Sequence, residues 1–233
     1  MKKIFEKHET LFCMLLIVLY VVVNSYCMQN FGLTDYRSAI INTVFSVVLL
    51  VLVISLKRVS FYGLTKVTNL KKYLYFIPLL LIVSVNLWNG VNINNTANEI
   101  LFHIICMMNV GFLEEMIFRG FLFKMMAKDN VKSAIIVSSI TFGMGHIVNL
   151  LNGADLVPTL MQLCYATAIG YLFVTIFYKS KSLVPCIIAH GVFNSLSIFN
   201  DGSGGKMSLY IETVFLVVVS LGYAFYINKR VKE

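Results

Sequence analysis

The stretch Ile100-Leu-Phe-His-Ile-Ile-Cys-Met-Met-Asn-Val-Gly-Phe-Leu-Glu-Glu-Met-Ile-Phe-Arg-Gly-Phe-Leu-Phe123 decides the class of this chain. It is apolar enough to lie in hydrocarbon, yet it carries Glu114, Glu115 and Arg119 near its centre. A charged side chain at mid-bilayer costs roughly 2.5–3.5 kcal/mol even on lenient insertion scales. Such groups persist when they face a bundle interior or a cavity, so this segment reads as a membrane helix carrying a polar site.

Composition agrees. Of 233 residues, 58% are hydrophobic and 13% charged, against roughly 25% charged in soluble domains. Windows of about 19 residues give eight candidate spans: Leu11–Met28, Ser38–Leu56, Tyr73–Trp88, Ala97–Met126, Ser133–Leu151, Val157–Tyr178, Leu183–Phe199 and Met207–Ile227. Lipid offers the backbone no partners, so these runs are expected to be helices and the fold all-α. The third and seventh are short, and the fourth is long enough to tilt.

The basic residues check this count independently. Lys2, Lys3 and Lys7 precede the first span, and Lys57, Arg58, Lys66, Lys71 and Lys72 follow the second. Lys124, Lys128 and Lys132 follow the fourth, Lys179 and Lys181 the sixth, and Lys229, Arg230 and Lys232 the last. Sixteen of the 19 Lys and Arg thus fall on one side, with only Arg37 and Lys206 opposite. The positive-inside rule then predicts both termini cytoplasmic, and the expected location is a cell membrane, multi-pass, of bacterial plasma-membrane type. Contact with anionic lipid accounts for the net charge of +8, and no nucleic-acid partner is required.

One membrane domain, 1–233, is expected, since no linker or repeat divides the chain. The first apolar run lacks an Ala-x-Ala-type exit and reads as a retained helix. Residues Val59–Lys72 read as a basic loop with a short interfacial helix, and Asn200–Gly205 as a flexible outer turn. Cys13, Cys27, Cys106, Cys164 and Cys186 are scattered without a Cys-x-x-Cys pair and read as free, buried thiols.

Helical spacing turns the polar residues into geometry. Glu115 and Arg119 are four apart with the acid first, the favourable order for a pair on one face. Glu114 is turned about 100° away and is left for the cavity, where a buried carboxylate beside another is a candidate general base. On this motif alone, a purely structural ion cluster is the rival reading. Phe142 and His146 are four apart in the fifth span, where Gly143 and Gly145 should admit a neighbouring helix. His190 and Asn194 are four apart in the seventh, after Ser182 and Pro185, which suit a helix start. At 1.5 Å per residue, Glu114 and His146 lie roughly 20 Å from the basic turn. His190 and Asn194 lie roughly 14 and 20 Å from Lys181. All four share one depth. His103 lies about 16 Å further out and is expected to pair with Glu99.

Glu114-Glu-Met-Ile-Phe-Arg119, Phe142-Gly-Met-Gly-His146 and His190-Gly-Val-Phe-Asn194 resemble the three motifs of the CPBP family. Its members are CAAX prenyl endopeptidases and bacteriocin-processing or immunity proteins, also called Abi. The motifs match at every polar position and in order, over a core of about 98–197. The resemblance implies an eight-helix intramembrane endopeptidase acting on a membrane-associated protein or peptide precursor. By it, Glu114 and His146 activate water, His190 and Asn194 form the oxyanion hole, and Glu115, Arg119 and Phe142 support them. No serine or cysteine nucleophile is positioned by these motifs.

A metal-free reaction is the expectation. The alternative is zinc held by Glu114, His146 and His190 with one open position, although no His-Glu-x-x-His helix is present. Two other functions keep similar residues in a membrane: a non-catalytic immunity or scaffold protein, and a proton-coupled transporter. The latter more often shows internal repeats and broken helices.

Overall fold

A computed structural model describes residues 2–66, 77–200 and 204–230, and the described residues are helical throughout apart from turns and one isolated bridge between Val91 and Asn200. In order the helices are α1 (Lys2–Lys7), α2 (Glu9–Asn30), α3 (Tyr36–Ser55), α4 (Ile77–Ser84), α5 (Ala97–Glu115), a π-helical segment (Met116–Phe123), α6 (Lys124–Met126), α7 (Val131–Gly145), α8 (Val148–Leu151), α9 (Leu156–Ser180), α10 (Val184–Leu196) and α11 (Gly205–Arg230). Short 3-10 turns, Val85–Leu87 and Ser197–Phe199, extend α4 and α10.

Six helices among the described residues are long and apolar enough to cross a membrane; Ile77–Leu87 and Val184–Phe199 are shorter. The all-α, multi-pass expectation is met, with six helices of crossing length where eight spans were expected, and the two short elements lie at the third and seventh expected positions. The fifth span is not one continuous helix: α7 ends at Gly145 and α8 resumes at Val148. Residues 59–66 form turns with no helix. The rest of the expected interfacial helix, 67–72, and positions 201–203 of the outer turn lie outside the described residues.

Local chemistry sets the helix starts. The Asp35 carboxylate accepts the Arg37 backbone N–H at 2.8 Å and caps α3. The Arg37 guanidinium bound to it, helped by that N–H, holds the Asp35 carboxyl down at about 2. Thr96 and Glu99 form a reciprocal capping box at α5, which satisfies two backbone donors at once. Asn130 caps α7 through the Ser133 N–H at 3.0 Å. Pro185 sits in the first turn of α10, where its missing N–H costs nothing. Ser182 does not cap that helix; its hydroxyl donates to the Thr65 carbonyl at 2.6 Å.

The basic segments meet at one end of the bundle. Glu9 pairs with Lys128 and, at 3.7 Å, with Arg58, which also meets Glu6 at 2.5 Å. The Leu183 N–H donates to the Gly63 carbonyl at 2.8 Å, tying the turn after α9 to the loop after α3. At the far end, Gln29 donates to Asn152 at 2.9 Å and the Asn92 N–H to the Phe199 carbonyl at 2.8 Å. Within the bundle α5 packs on α10 and α3, while α9 packs on α7 and α11. Outer faces of α2, α3 and α11 expose Val18, Val22, Val47, Val51, Val214 and Val218, as helices solvated by lipid must. Four of the cysteines are buried and free; Cys164, expected to be buried, is exposed on α9.

Candidate active site

Two glycines decide how closely the site can assemble. A Cβ added at Gly111 on α5 would lie 2.6 Å from the Gly191 nitrogen and 2.8 Å from its Cα on α10. The two backbones therefore touch, as small residues permit in membrane helices. Glu114 and Glu115 lie one turn beyond Gly111, and His190 adjoins Gly191, so this crossing brings acids and imidazole together.

His190 sits between both carboxylates. Its Nδ1 is 2.9 Å from Glu115 Oε1 and its Nε2 is 3.2 Å from Glu114 Oε2. Nδ1 hydrogen-bonds Glu115 while Nε2 lies within ion-pair distance of Glu114, so a protonated ring, with Arg119, balances the two negative charges. Arg119 Nη1 donates to Glu115 Oε1 at 3.0 Å, and both side chains are fully buried. The expected Glu115–Arg119 pair is therefore present. The guanidinium also lies 4.1 Å from the centroid of the Phe142 ring, an attraction of about 2 kcal/mol when desolvated. Gly170 on α9 leaves it room, since a Cβ there would approach Arg119 Nη2 to 3.2 Å.

Arg119 stands in the π-helical segment, a wide-turn insertion common at functional sites that spacing alone did not anticipate. Within this segment the Phe118 carbonyl accepts the Ser138 hydroxyl of α7 at 2.9 Å. Phe142 lies edge-on to His146 and His190, at 5.4 and 5.6 Å between centroids. Its ring thus touches three of the polar motif residues.

Glu114 faces a cavity of about 330 Å³ that His146, Phe118 and Phe142 also line. His146 is the residue that ends α7, half-buried at the break before α8. Asn194 lines a second, smaller cavity of about 40 Å³ together with His146, His190 and Phe142. Gly143 meets α9 closely, within 3.0 Å of the Leu163 carbonyl if a Cβ is added; Gly145, expected to do likewise, has nothing nearer than 4.0 Å and lines the larger cavity instead.

Two contacts were not foreseen. The Tyr20 hydroxyl on α2 donates to Glu114 Oε1 at 2.5 Å, so the first span contributes to the site. His103 does not pair with Glu99, which is spent on its capping box; its Nε2 lies 3.3 Å from both the Asn194 carbonyl and the Ser197 hydroxyl. The reason is that the α5–α10 crossing brings the end of α10 within reach of His103.

The zinc alternative requires Glu114, His146 and His190 around one point. Among the described residues no three His, Cys, Asp or Glu side chains are grouped to hold a metal ion, and both nitrogens of His190 face carboxylates. The residues do not fit that group as they stand.

No curated protein and no solved structure matches the chain significantly. A family model does: the one described as type II CAAX prenyl endopeptidase Rce1-like matches residues 96–196, from the cap of α5 to the end of α10. That interval contains all three motifs and the glycine crossing between them. Residues 96–196 of this multi-pass membrane protein are therefore similar to the Rce1-like family of type II CAAX prenyl endopeptidases.

Proposed function

We propose that the chain hydrolyses a peptide bond in a membrane-associated protein or peptide precursor, with Glu114 as the base that activates water. The observation that carries this reading is the position of Glu114: buried, held by Tyr20 and His190, and open to a cavity that His146 also lines. Glu114 takes a proton from water while His146 orients it, and the hydroxide oxygen attacks the scissile carbonyl. Protonation of Glu114 removes the charge that engages His190 Nε2. That N–H then turns to the developing oxyanion, joined by the Asn194 amide across the smaller cavity. The proton on Glu114 passes to the departing amine, and the base is regenerated. Glu115 and Arg119 hold the imidazole from its other side. No metal is needed in this scheme.

The test compares peptide termini in membranes of cells expressing wild-type protein or Glu114→Gln, which keeps the volume and loses the base. The expected outcome is a precursor that accumulates uncut with Glu114→Gln, with rates down by orders of magnitude. His146→Ala should match it, and the double variant should add little, since both act on one water. Full processing by folded Glu114→Gln protein would refute the assignment.

A further inference from the structure

The cavity beside Glu114 has a direction. On α2 its lining continues from Tyr20 to Asn24 and Ser25; on α5 it retreats from Glu114 to Val110 and Met107. Beyond His146 it reaches Asn149 and Asn152. Because α2 and α7 run away from the basic end and α5 runs toward it, all three paths lead to the opposite end. In the other direction the cavity stops at Phe118 and Phe142, both buried. Below them Tyr62 and Phe12 pack on Phe121 at 4.6 and 5.5 Å, and Phe5 closes on Phe12 at 5.1 Å. The ion pairs of Glu6 and Glu9 with Arg58 cover this plug.

We infer that the site admits its substrate from the end opposite the lysine-rich loops, as an extended, uncharged apolar segment. The mouth offers amides and a hydroxyl, the walls are aliphatic, and Glu114 is the one Asp, Glu, Lys or Arg among the lining residues. A charged side chain would enter without a partner. Under the positive-inside rule that end faces away from the cytoplasm, so the substrate class is an exported precursor or the outer portion of a membrane-spanning peptide. This rests on the hydrolytic reading for the word substrate, whereas the route itself is a property of the cavity.

Thiol labelling separates the two, because it needs no turnover. In a Cys164→Ser background, whose other thiols are buried, single cysteines are placed at Ser25 in the cavity, Asn30 at the outer end and Lys132 at the basic end. A small, charged, membrane-impermeant methanethiosulfonate applied to intact cells should modify Ser25→Cys and Asn30→Cys and spare Lys132→Cys. Inverted vesicles should give the reverse. The route is overturned if Ser25→Cys reacts only from the Lys132 side, or from neither side while Asn30→Cys reacts. Reaction of Lys132→Cys in intact cells overturns the orientation and the exported substrate with it. Failure of Glu114→Gln to abolish processing would leave all these labelling results unchanged.

Discussion

Replacing Gly111 by alanine tests whether the helix crossing holds the site. The new methyl would sit 2.6 Å from the Gly191 nitrogen and 2.8 Å from its Cα, short of an optimal non-bonded separation of ~3.5 Å by about 0.9 Å. Both opposing atoms are backbone, so no rotamer change relieves the overlap and α10 must move. Overpacking of this kind costs about 1–3 kcal/mol. A movement of that size would stretch the 2.9 Å contact between His190 and Glu115 beyond hydrogen-bonding distance. A misplacement of ~1 Å at a catalytic group can lower rates about 100-fold. Gly222→Ala on α11 is the control, because nothing lies within 4 Å of its added Cβ. Thermal melting in nanodiscs, with processing of the accumulated precursor as the second readout, should show a lower Tm and slow hydrolysis for Gly111→Ala only. Wild-type melting and processing in Gly111→Ala would show that the crossing does not set the geometry of the site.

Arg119→Ala should cost about 3–5 kcal/mol, because it leaves the Glu115 carboxylate buried without its cation; a variant as abundant and heat-stable as wild type would contradict the pairing. Tyr20→Phe keeps the ring and removes a hydrogen bond to a charged group, worth about 1.5–3 kcal/mol. Hydrolysis should fall about 10- to 100-fold in a folded protein whose Tm drops by roughly 2–4 °C per kcal/mol lost, and an unchanged rate would take Tyr20 out of the site. Chelators should leave purified protein active; loss of activity restored by zinc would favour the metal alternative.

The polar motifs were legible because charge in hydrocarbon is rare enough to stand out. Glu115 and Arg119 needed only helical spacing, and the short third and seventh spans needed only a count of apolar residues. Tyr20 could not be found this way, since it is one of 12 tyrosines and an aromatic in an apolar span has no distinguishing pattern. The Gly111–Gly191 contact joins residues 80 apart through backbone, where no side chain leaves a signal. Gly143 and Gly145 read as equivalent, yet only Gly143 lies on the face toward α9, since residues two apart on a helix are turned about 200° from each other. Spacing proposed a Glu99–His103 pair, but the local cap at Thr96 took the carboxylate first. The bridging position of His190 between two acids depends on tertiary placement alone.

Helix α10 with its 3-10 extension, Val184–Phe199, measures about 25 Å at ordinary rises, against a hydrocarbon thickness of ~30 Å. Ile188 on it is exposed, and the neighbouring α4 belongs to the other short apolar element. Lipid along this flank must thin to meet a helix too short for it, at fractions of a kcal/mol per Å. Headgroups and their hydration water descend with it. In the proposed hydrolysis each bond cut would consume one water, and the helix bearing His190 flanks the thinned lipid, a second approach for water beside the cavity that opens at the outer end.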